Sequence, residues 1–231
     1  MRDLELDEST VLRGRGLLLR TWLPEDLEPV HKACQAPDIQ QWTTVPSPYL
    51  PVDAEVFLAG SALRWVQGLA SFAILGEHTG RLLGSIGFAG LPEEGVVEVG
   101  YWVAPDARNR GVATAATTLI CDWAFDELGF HRVDWQAYVG NEGSRRVAQR
   151  CGFTFEGTLR GRGFQRGEYR DVWIAGLLAT DPRPEIPDVE SSARHRPSRP
   201  AEYAVADSAP DDHAPLILDG PATRPHHSAR G

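Results

Sequence analysis

Between residues 97 and 116 the chain reads VEVGYWVAPDARNRGVATAA, a β-branched and aromatic strand pattern, a short polar loop and then a helix pattern rich in small residues. Gly111 falls where that helix would begin. The first amides of a helix have no acceptor within it, and the macrodipole adds partial positive charge, so such a start can hold an anion. A glycine there lets a phosphate approach the backbone without meeting a Cβ. Arg108 and Arg110 add positive charge. The spacing is not that of a P-loop, since no Gly-Lys-Ser/Thr occurs. It is not a dinucleotide fingerprint either, since Gly161 and Gly163 are followed by Gly167, one residue too late for G-x-G-x-x-G. An ordinary glycine-bearing helix start has the same pattern, so spacing alone leaves both readings open.

Other reactive side chains give weaker signals. His78 falls in a turn, His131 precedes a strand and His226 and His227 lie near the C-terminal end; without HxxxH or HExxH spacing, no metal is expected. Cys34, Cys121 and Cys151 are an odd, widely spaced set, which argues against a disulfide framework and for reduced thiols in a cytoplasmic protein. A formal net charge of -9 lacks the basic footprint of a nucleic-acid binder and suits a cationic or amine partner. No apolar run reaches the roughly 18 residues of a membrane helix, and the acidic start MRDLELDEST is unlike a signal peptide, so no membrane association is expected.

These residues need a scaffold, and the pattern supplies one. Residues 16–22 read as a strand, and Pro24, Glu25 and Asp26 favour a helix start leading to about Ala36. Val52, Val56, Ala59, Leu63 and Val66 recur at spacings of four and three, one apolar face of a helix that Gly68 can end. Strands over 69–75, 81–89 and 96–104, separated by turns, make an antiparallel meander. A helix over 112–128, a strand over 133–139, a short helix to about Arg150 and strands over 154–160 and 172–178 complete the pattern. Trp102, Trp123, Trp135 and Trp173 fall inside elements and are expected in the core. Strands segregated before a strand–loop–helix–strand unit indicate an α/β fold, or α+β by some criteria, built on one mixed sheet. Residues 1–10 read as a flexible N-terminus and 11–180 as the folded domain. Residues 181–231 carry nine prolines and neither tryptophan nor phenylalanine, too little apolar surface for a core, and read as a disordered proline-rich tail.

Four short motifs, in order, make the sequence resemble the GNAT superfamily of acyl-CoA N-acyltransferases, and within it the RimJ/RimL type. Arg108, Asn109, Arg110, Gly111, Val112 and Ala113 match the R/Q-x-x-G-x-G/A loop; Glu98 to Val103, EVGYWV, matches the preceding strand. Asn141 and Ser144 with Gly152, Phe153, Glu156 and Gly157 match N-x-x-S followed by G-F-x-x-E-G, and Gly167, Tyr169 and Asp171 match a late G-x-Y-x-D hairpin. The resemblance covers roughly residues 12–180. It implies a GNAT fold with one mixed, mostly antiparallel sheet of about seven strands flanked by about four helices. It also implies acetyl-CoA as cosubstrate, bound where two strands part. The pantetheine arm would lie along Tyr101, Trp102 and Val103, and the pyrophosphate on Arg108, Asn109, Arg110, Gly111, Val112, Ala113 and Thr114, with Asn141 nearby. Gly100 would allow a bulge that starts the parting.

Acetyl transfer needs a neutral amine, a polarised thioester carbonyl and a proton for the leaving thiolate. Glu98 alternates with Val97 and Val99, so its carboxylate faces away from theirs and is the candidate base, acting through water; a cross-sheet ion pair with an arginine is the plainer reading. Many members of the family carry a tyrosine four residues before the glycine of G-F, where this chain has Ala148. Ser144, one helical turn away, resembles the subgroup's serine near the coenzyme sulfur and is the candidate for the thiolate, although a serine there can also be a simple cap. An acidic residue that some ribosomal-protein acetyltransferases carry after E-G is replaced by the run Arg160, Gly161, Arg162, Gly163, which counts against a ribosomal acceptor. With Arg166 and Arg170 it could recognise an acidic acceptor or form a solvated hairpin. Trp42 and Tyr49 could line an acceptor pocket or pack a loop. The reading is a cytoplasmic acetyl-CoA-dependent N-acetyltransferase acting on a primary amine by direct attack. A homodimer, or a noncatalytic acyl-CoA-binding module of the same fold, stays open.

Overall fold

Arg15 (φ 57°) and Gly16 (φ 75°) are both left-handed, and this turn folds the chain back on itself. Two strands, β1 (Leu12–Gly14) and β2 (Leu17–Arg20), stand where one was expected. Residues 6–189 are described in the computed structural model of the chain, except the side chains of 91–93. The order continues with α1 (Leu27–Cys34), α2 (Pro37–Trp42), α3 (Pro51–Val66), β3 (Ser71–Gly76), β4 (Leu82–Glu93), β5 (Val96–Val103) and α4 (Val112–Asp126). It closes with β6 (Arg132–Tyr138), α5 (Glu142–Arg150), β7 (Thr154–Gln165) and β8 (Glu168–Leu178). All eight strands join one sheet in the order β1-β2-β3-β4-β5-β6-β8-β7, with β5–β6 the parallel pair and every other neighbour antiparallel.

The mixed α/β layering matches expectation: the described residues form eight strands and five α-helices where about seven and about four were expected. The extra helix, α2, starts with Pro37, whose missing N–H costs nothing at that position, and runs only six residues, too short for a periodic signal. β7 runs past Arg160 because an irregularity between Leu159 and Gly163 absorbs extra residues before pairing resumes.

Period-two alternation assigns the two faces. Phe72 and Phe88 meet Trp123 of α4, and Tyr101 and Trp135 meet Ser144 of α5. The opposite face, with Ser71, Ser85, Gly87, Gly100 and Trp102, is roofed by α1 and α3. The helix α4 is buried along most of its length, since Ala113, Ala115 and Ala116 let it lie close to the strands. The apolar face expected on α3 turns outward: Val52, Val56, Leu63 and Val66 are exposed, while Ala54, Ser61 and Trp65 are buried.

The expected domain boundary at residue 180 falls too early. Arg183 pairs with Asp126 (2.6 and 2.8 Å) and Asp122 (3.2 Å), Val189 N–H donates to Arg15 O (3.0 Å), and the Val189 side chain is buried. At the other end Leu6 packs on the core. The remainder of the expected N-terminal and proline-rich segments, residues 1–5 and 190–231, lies outside the described residues.

Candidate active site

β5 pairs with β6 only from Val96 to Val99. Beyond that point β5 stays on β4, Gly100 opposite Gly87 and Val103 opposite Gly84, while Gln136, Ala137 and Tyr138 of β6 stay on β8. A wedge therefore opens at Gly100. It opens without a bulge there, since the β4–β5 register is unbroken at Gly100 and shifts instead between Ala89 and Glu93. Ala104 N–H donates back to Leu83 O on β4 (2.8 Å). Alternation then turns the main chain of Tyr101 and Val103 toward the open side, the edge an added extended chain would pair with.

At the wide end of the wedge the loop after β5 leads into α4. Asn109 (φ 56°) and Gly111 (φ 79°) are left-handed, and Gly111 caps the helix, leaving the amides of Val112, Ala113 and Thr114 at its start without intrahelical acceptors. Ala115 N–H makes the first helical bond, to Gly111 O (2.9 Å). Thr114 Oγ1 is buried with no hydrogen-bond partner among the described residues. These features fit a phosphate group. Arg108 does not lie free for it: its Nε donates to Val103 O (3.2 Å) and its guanidinium pairs with Asp38 at the start of α2 (Nη2–Oδ1 3.0 Å). Arg108 thus fastens the loop, and Arg110, partly exposed, is the loop cation left to face an anion.

On the apex side, Glu98 Oε2 accepts from Gln136 Nε2 (2.7 Å), while Oε1 is buried with no partner among the described residues. Burial pushes this carboxyl up to about 8, and the charge of Asp134, its register partner on β6, pushes the same way; Arg162 and the Gln136 bond pull it down less. Asp134 is itself tied to Arg132, which forks onto Glu156 (2.8 and 2.7 Å). The arginine pairing that a strand glutamate would ordinarily make has therefore gone to Asp134 and Glu156. Gln136 Oε1 and Tyr138 Oη, on the same face of β6, are also buried without partners among the described residues. Buried polar atoms are nearly always satisfied, so three such atoms at one wedge point to a polar guest. Sequence reasoning missed Gln136 and Tyr138, although alternation from Asp134 along β6 places them on the face of Glu98.

On the opposite face Ser144 is fully buried. Its Oγ lies 3.0 Å from Tyr101 Oη and accepts from Trp135 Nε1 (2.9 Å), and its N–H donates to Asn141 Oδ1 (3.1 Å). Asn141 is thus the cap of α5, itself fully buried, and the Ser144 hydroxyl belongs to a three-residue network under β5 and β6. The Tyr101 phenol in that network was not foreseen.

The two expected acceptor residues sit apart. Tyr49 is buried and lines a cavity between α1, α3 and the sheet. Trp42 packs with Tyr138 and Val172, with the Arg170 guanidinium 5.3 Å from the centre of its ring and 4.5 Å from that of Tyr138. The arginines of the β7–β8 hairpin divide as well. Arg166 and Arg170 donate to main-chain carbonyls of Gln40, Gln41 and Val45, clasping the hairpin to the α2–α3 segment. Arg160 and Arg162 remain exposed on the bulge, which Asp171 pins through Gly161 N–H (2.7 Å). Among the described residues no group of three His, Cys, Asp or Glu could hold a metal ion, and no helix is long and apolar enough to cross a membrane.

A parted β5–β6 pair with a helix start at its wide end is the architecture of an acyl-CoA N-acyltransferase. The sequence matches the acetyltransferase (GNAT) domain over residues 16–154, more than half of the chain, and the protein belongs to that family. Among curated relatives it is 37% identical to YdaF of Bacillus subtilis (strain 168), which by its name is a proposed ribosomal N-acetyltransferase, over 44% of this chain and 56% of YdaF. The chain spans about half the length of the curated relatives it matches. A GCN5-related N-acetyltransferase from Brucella melitensis superposes with a TM-score of 0.66 at 26% identity, covering 76% of this chain and 81% of that one. Mycobacterium smegmatis RimJ, solved with CoA-disulfide, superposes with a TM-score of 0.64 at 22% identity, covering 74% and 86%, a likeness of fold.

Proposed function

We propose that the protein is an acetyl-CoA-dependent N-acetyltransferase of RimJ/RimL type that moves an acetyl group to a primary amine by direct attack. The observation that carries this reading is the meeting, at one wedge, of an unpaired β5 edge, a left-handed helix start and a half-buried carboxyl with an unpartnered oxygen. Acetyl-CoA would supply the activated thioester. The main chain of Tyr101 and Val103 would hold its extended arm, and the amides of Val112, Ala113 and Thr114, with Arg110, its pyrophosphate. The amine nitrogen then bonds to the acyl carbon as the carbon–sulfur bond breaks. Its proton goes to Glu98, directly or through water, and the electron pair leaves with sulfur toward the Ser144 hydroxyl. Cysteine chemistry is disfavoured: burial pushes the Cys34 and Cys151 thiols up to about 12 and raises that of Cys121, so little thiolate exists to carry an acyl group. A cytoplasmic location belongs to the same proposal.

The test is thiol release from acetyl-CoA with an amine panel of protein N-termini, small amines, amino acids and aminated antibiotics. Amine-dependent release is expected. Coenzyme binding without turnover on any amine would favour the noncatalytic acyl-CoA-binding module, a reading to which the full burial of Ser144 lends some support.

A further inference from the structure

We infer that the acceptor is a small primary amine with an uncharged, apolar body, which enters the cavity between α1, α3 and strands β3 to β5 and presents its nitrogen to Glu98. This rests on the N-acetyltransferase reading. The cavity measures about 360 Å³, near the small end of ligand pockets, which run from roughly 300 to 1,000 Å³. Its side walls are largely apolar, among them Val30, Val45, Tyr49, Phe57 and Trp102. Its floor is a strip of small residues, Gly87, Ala89 and Gly100. Glu98 adjoins that strip: it is the register partner of Ala89 and lies two residues before Gly100 on the same face of β5. Glu98 is not itself on the lining, so a body seated in the cavity would end next to the residue whose carboxylate Oε1 lacks a partner among the described residues.

The two charged side chains on the cavity wall are one acidic and one basic, so the wall offers no net charge to draw in an acidic or polycationic acceptor. Asp53 Oδ2 accepts from Leu50 N–H (2.6 Å) as the cap of α3, and Arg64 Nη2 donates to Phe88 O (3.1 Å), so both charged side chains on the wall are engaged with main chain. Two of the four hairpin arginines that could have met an acidic acceptor are spent on carbonyls. Those same bonds hold the cavity in shape from outside: Gln165 Nε2 donates to Thr43 O (2.6 Å) and Arg166 Nη2 to Val45 O (3.2 Å), on the segment that forms one wall. A preformed apolar cavity gains affinity with each methylene it buries, about fourfold per group.

Gly60 gives a direct test. It lines the cavity, and a Cβ built on it meets nothing within 4 Å. Gly60→Leu therefore extends into the cavity while replacing a helical glycine, so the fold should be at least as stable. The measurements are kcat and KM with ethylamine, hexylamine, 2-phenylethylamine, spermidine and an Ala-initiated peptide, each with acetyl-CoA and with hexanoyl-CoA, and Kd for acetyl-CoA. In the wild type KM should fall at least tenfold from ethylamine to hexylamine and 2-phenylethylamine. Gly60→Leu should raise KM for the two larger amines tenfold or more and Gly60→Ala by less, with Kd for acetyl-CoA within twofold. Preference for spermidine or the peptide, or indifference to Gly60→Leu, would overturn the inference. So would preference for hexanoyl-CoA with the Gly60→Leu defect following the donor, which would make the cavity an acyl-chain site. Those results leave the acetyltransferase reading standing, and so does acetylation of only the amino acids or aminated antibiotics, which would overturn the inference; wild-type protein that acetylates no amine of either panel would end both.

Discussion

Replacing Glu98 by glutamine removes a proton acceptor while keeping the oxygen that Gln136 Nε2 donates to, so the local hydrogen bond survives. With the carboxyl raised to about 8, roughly a tenth of Glu98 is ionised at pH 7 and about nine-tenths at pH 9. If the carboxylate is the base, wild-type kcat/KM should rise about tenfold per pH unit below 8 and bend near 8, apart from the amine's own titration. Glu98→Gln should lose that bend and fall about 10² to 10⁴-fold near pH 8 to 9. The defect should shrink at higher pH, where the amine is already neutral. The sign in stability is also determined. A carboxyl whose pKa is higher folded than unfolded binds more protons in the folded state between about 4.5 and 8, so it costs stability progressively as pH rises through that window. Glu98→Gln should remove this slope and be the more stable protein at pH 8.5, by at most about 4 to 5 kcal/mol for a shift of that size. The assays are thiol release and melting temperature across pH 5 to 10 for both proteins. A bend near 8 that persists in Glu98→Gln, or unchanged turnover, would refute the base assignment.

Two further perturbations test the frame around the site. Because Gly111 is left-handed, Gly111→Val would confound strain with blockage; Gly111→Asn tolerates that conformation and should weaken acetyl-CoA binding at least tenfold with a small change in melting temperature, and an unchanged Kd would remove the loop from the coenzyme site. Truncation after Asp181 discards buried Val189 and the Arg183 pairings, so it should cost about 2 kcal/mol and several degrees of melting temperature, whereas stopping after Val189 keeps them; equal melting temperatures would mean that the docked segment adds nothing.

What the sequence made legible was local. The strand into the Gly111 turn and the helix after it are contiguous, so one stretch of chemistry and periodicity located both the wedge and the helix start. The choice between two possible buried faces was not local. In α3, residues 54, 57, 61 and 65 are as well spaced for a helix face as 52, 56, 59, 63 and 66, and packing against the sheet selected the former. Arg108 and Asp38 are seventy positions apart, so nothing near the loop announced that its first arginine would be held by α2. Gln136 and Tyr138 became meaningful once the sheet order placed β6 on the far side of the wedge from Glu98. Polar side chains on a central strand carry no such signal until their neighbours are known.

Ser144 is where local reasoning and packing give different weights, and the network around it decides how to ask. Its oxygen accepts from Trp135 Nε1 and is 3.0 Å from Tyr101 Oη. If Tyr101 donates to it, the serine proton can point at a departing sulfur; if the serine donates to Tyr101, its own proton is engaged there. Ser144→Ala strands the buried Trp135 N–H, so it should cost about 1 to 3 kcal/mol of stability in either case, and a stability loss no longer separates a cap from a catalyst. Turnover does. A serine that stabilises the thiolate by one hydrogen bond predicts a fall in kcat of about ten- to a hundredfold in Ser144→Ala, near-native Kd for acetyl-CoA, and a much smaller kcat effect in Tyr101→Phe. A phenol acting through the serine predicts comparable kcat losses in both. Installing a tyrosine at Ala148 is a poor rescue, because that site is buried and a ring there would overpack the α4–α5 contact. The measurement is therefore kcat, coenzyme Kd and melting temperature on Ser144→Ala, Tyr101→Phe and the double variant. If all three lose stability while kcat stays at the wild-type value, the network is a packing device and the thiolate leaves without help from α5.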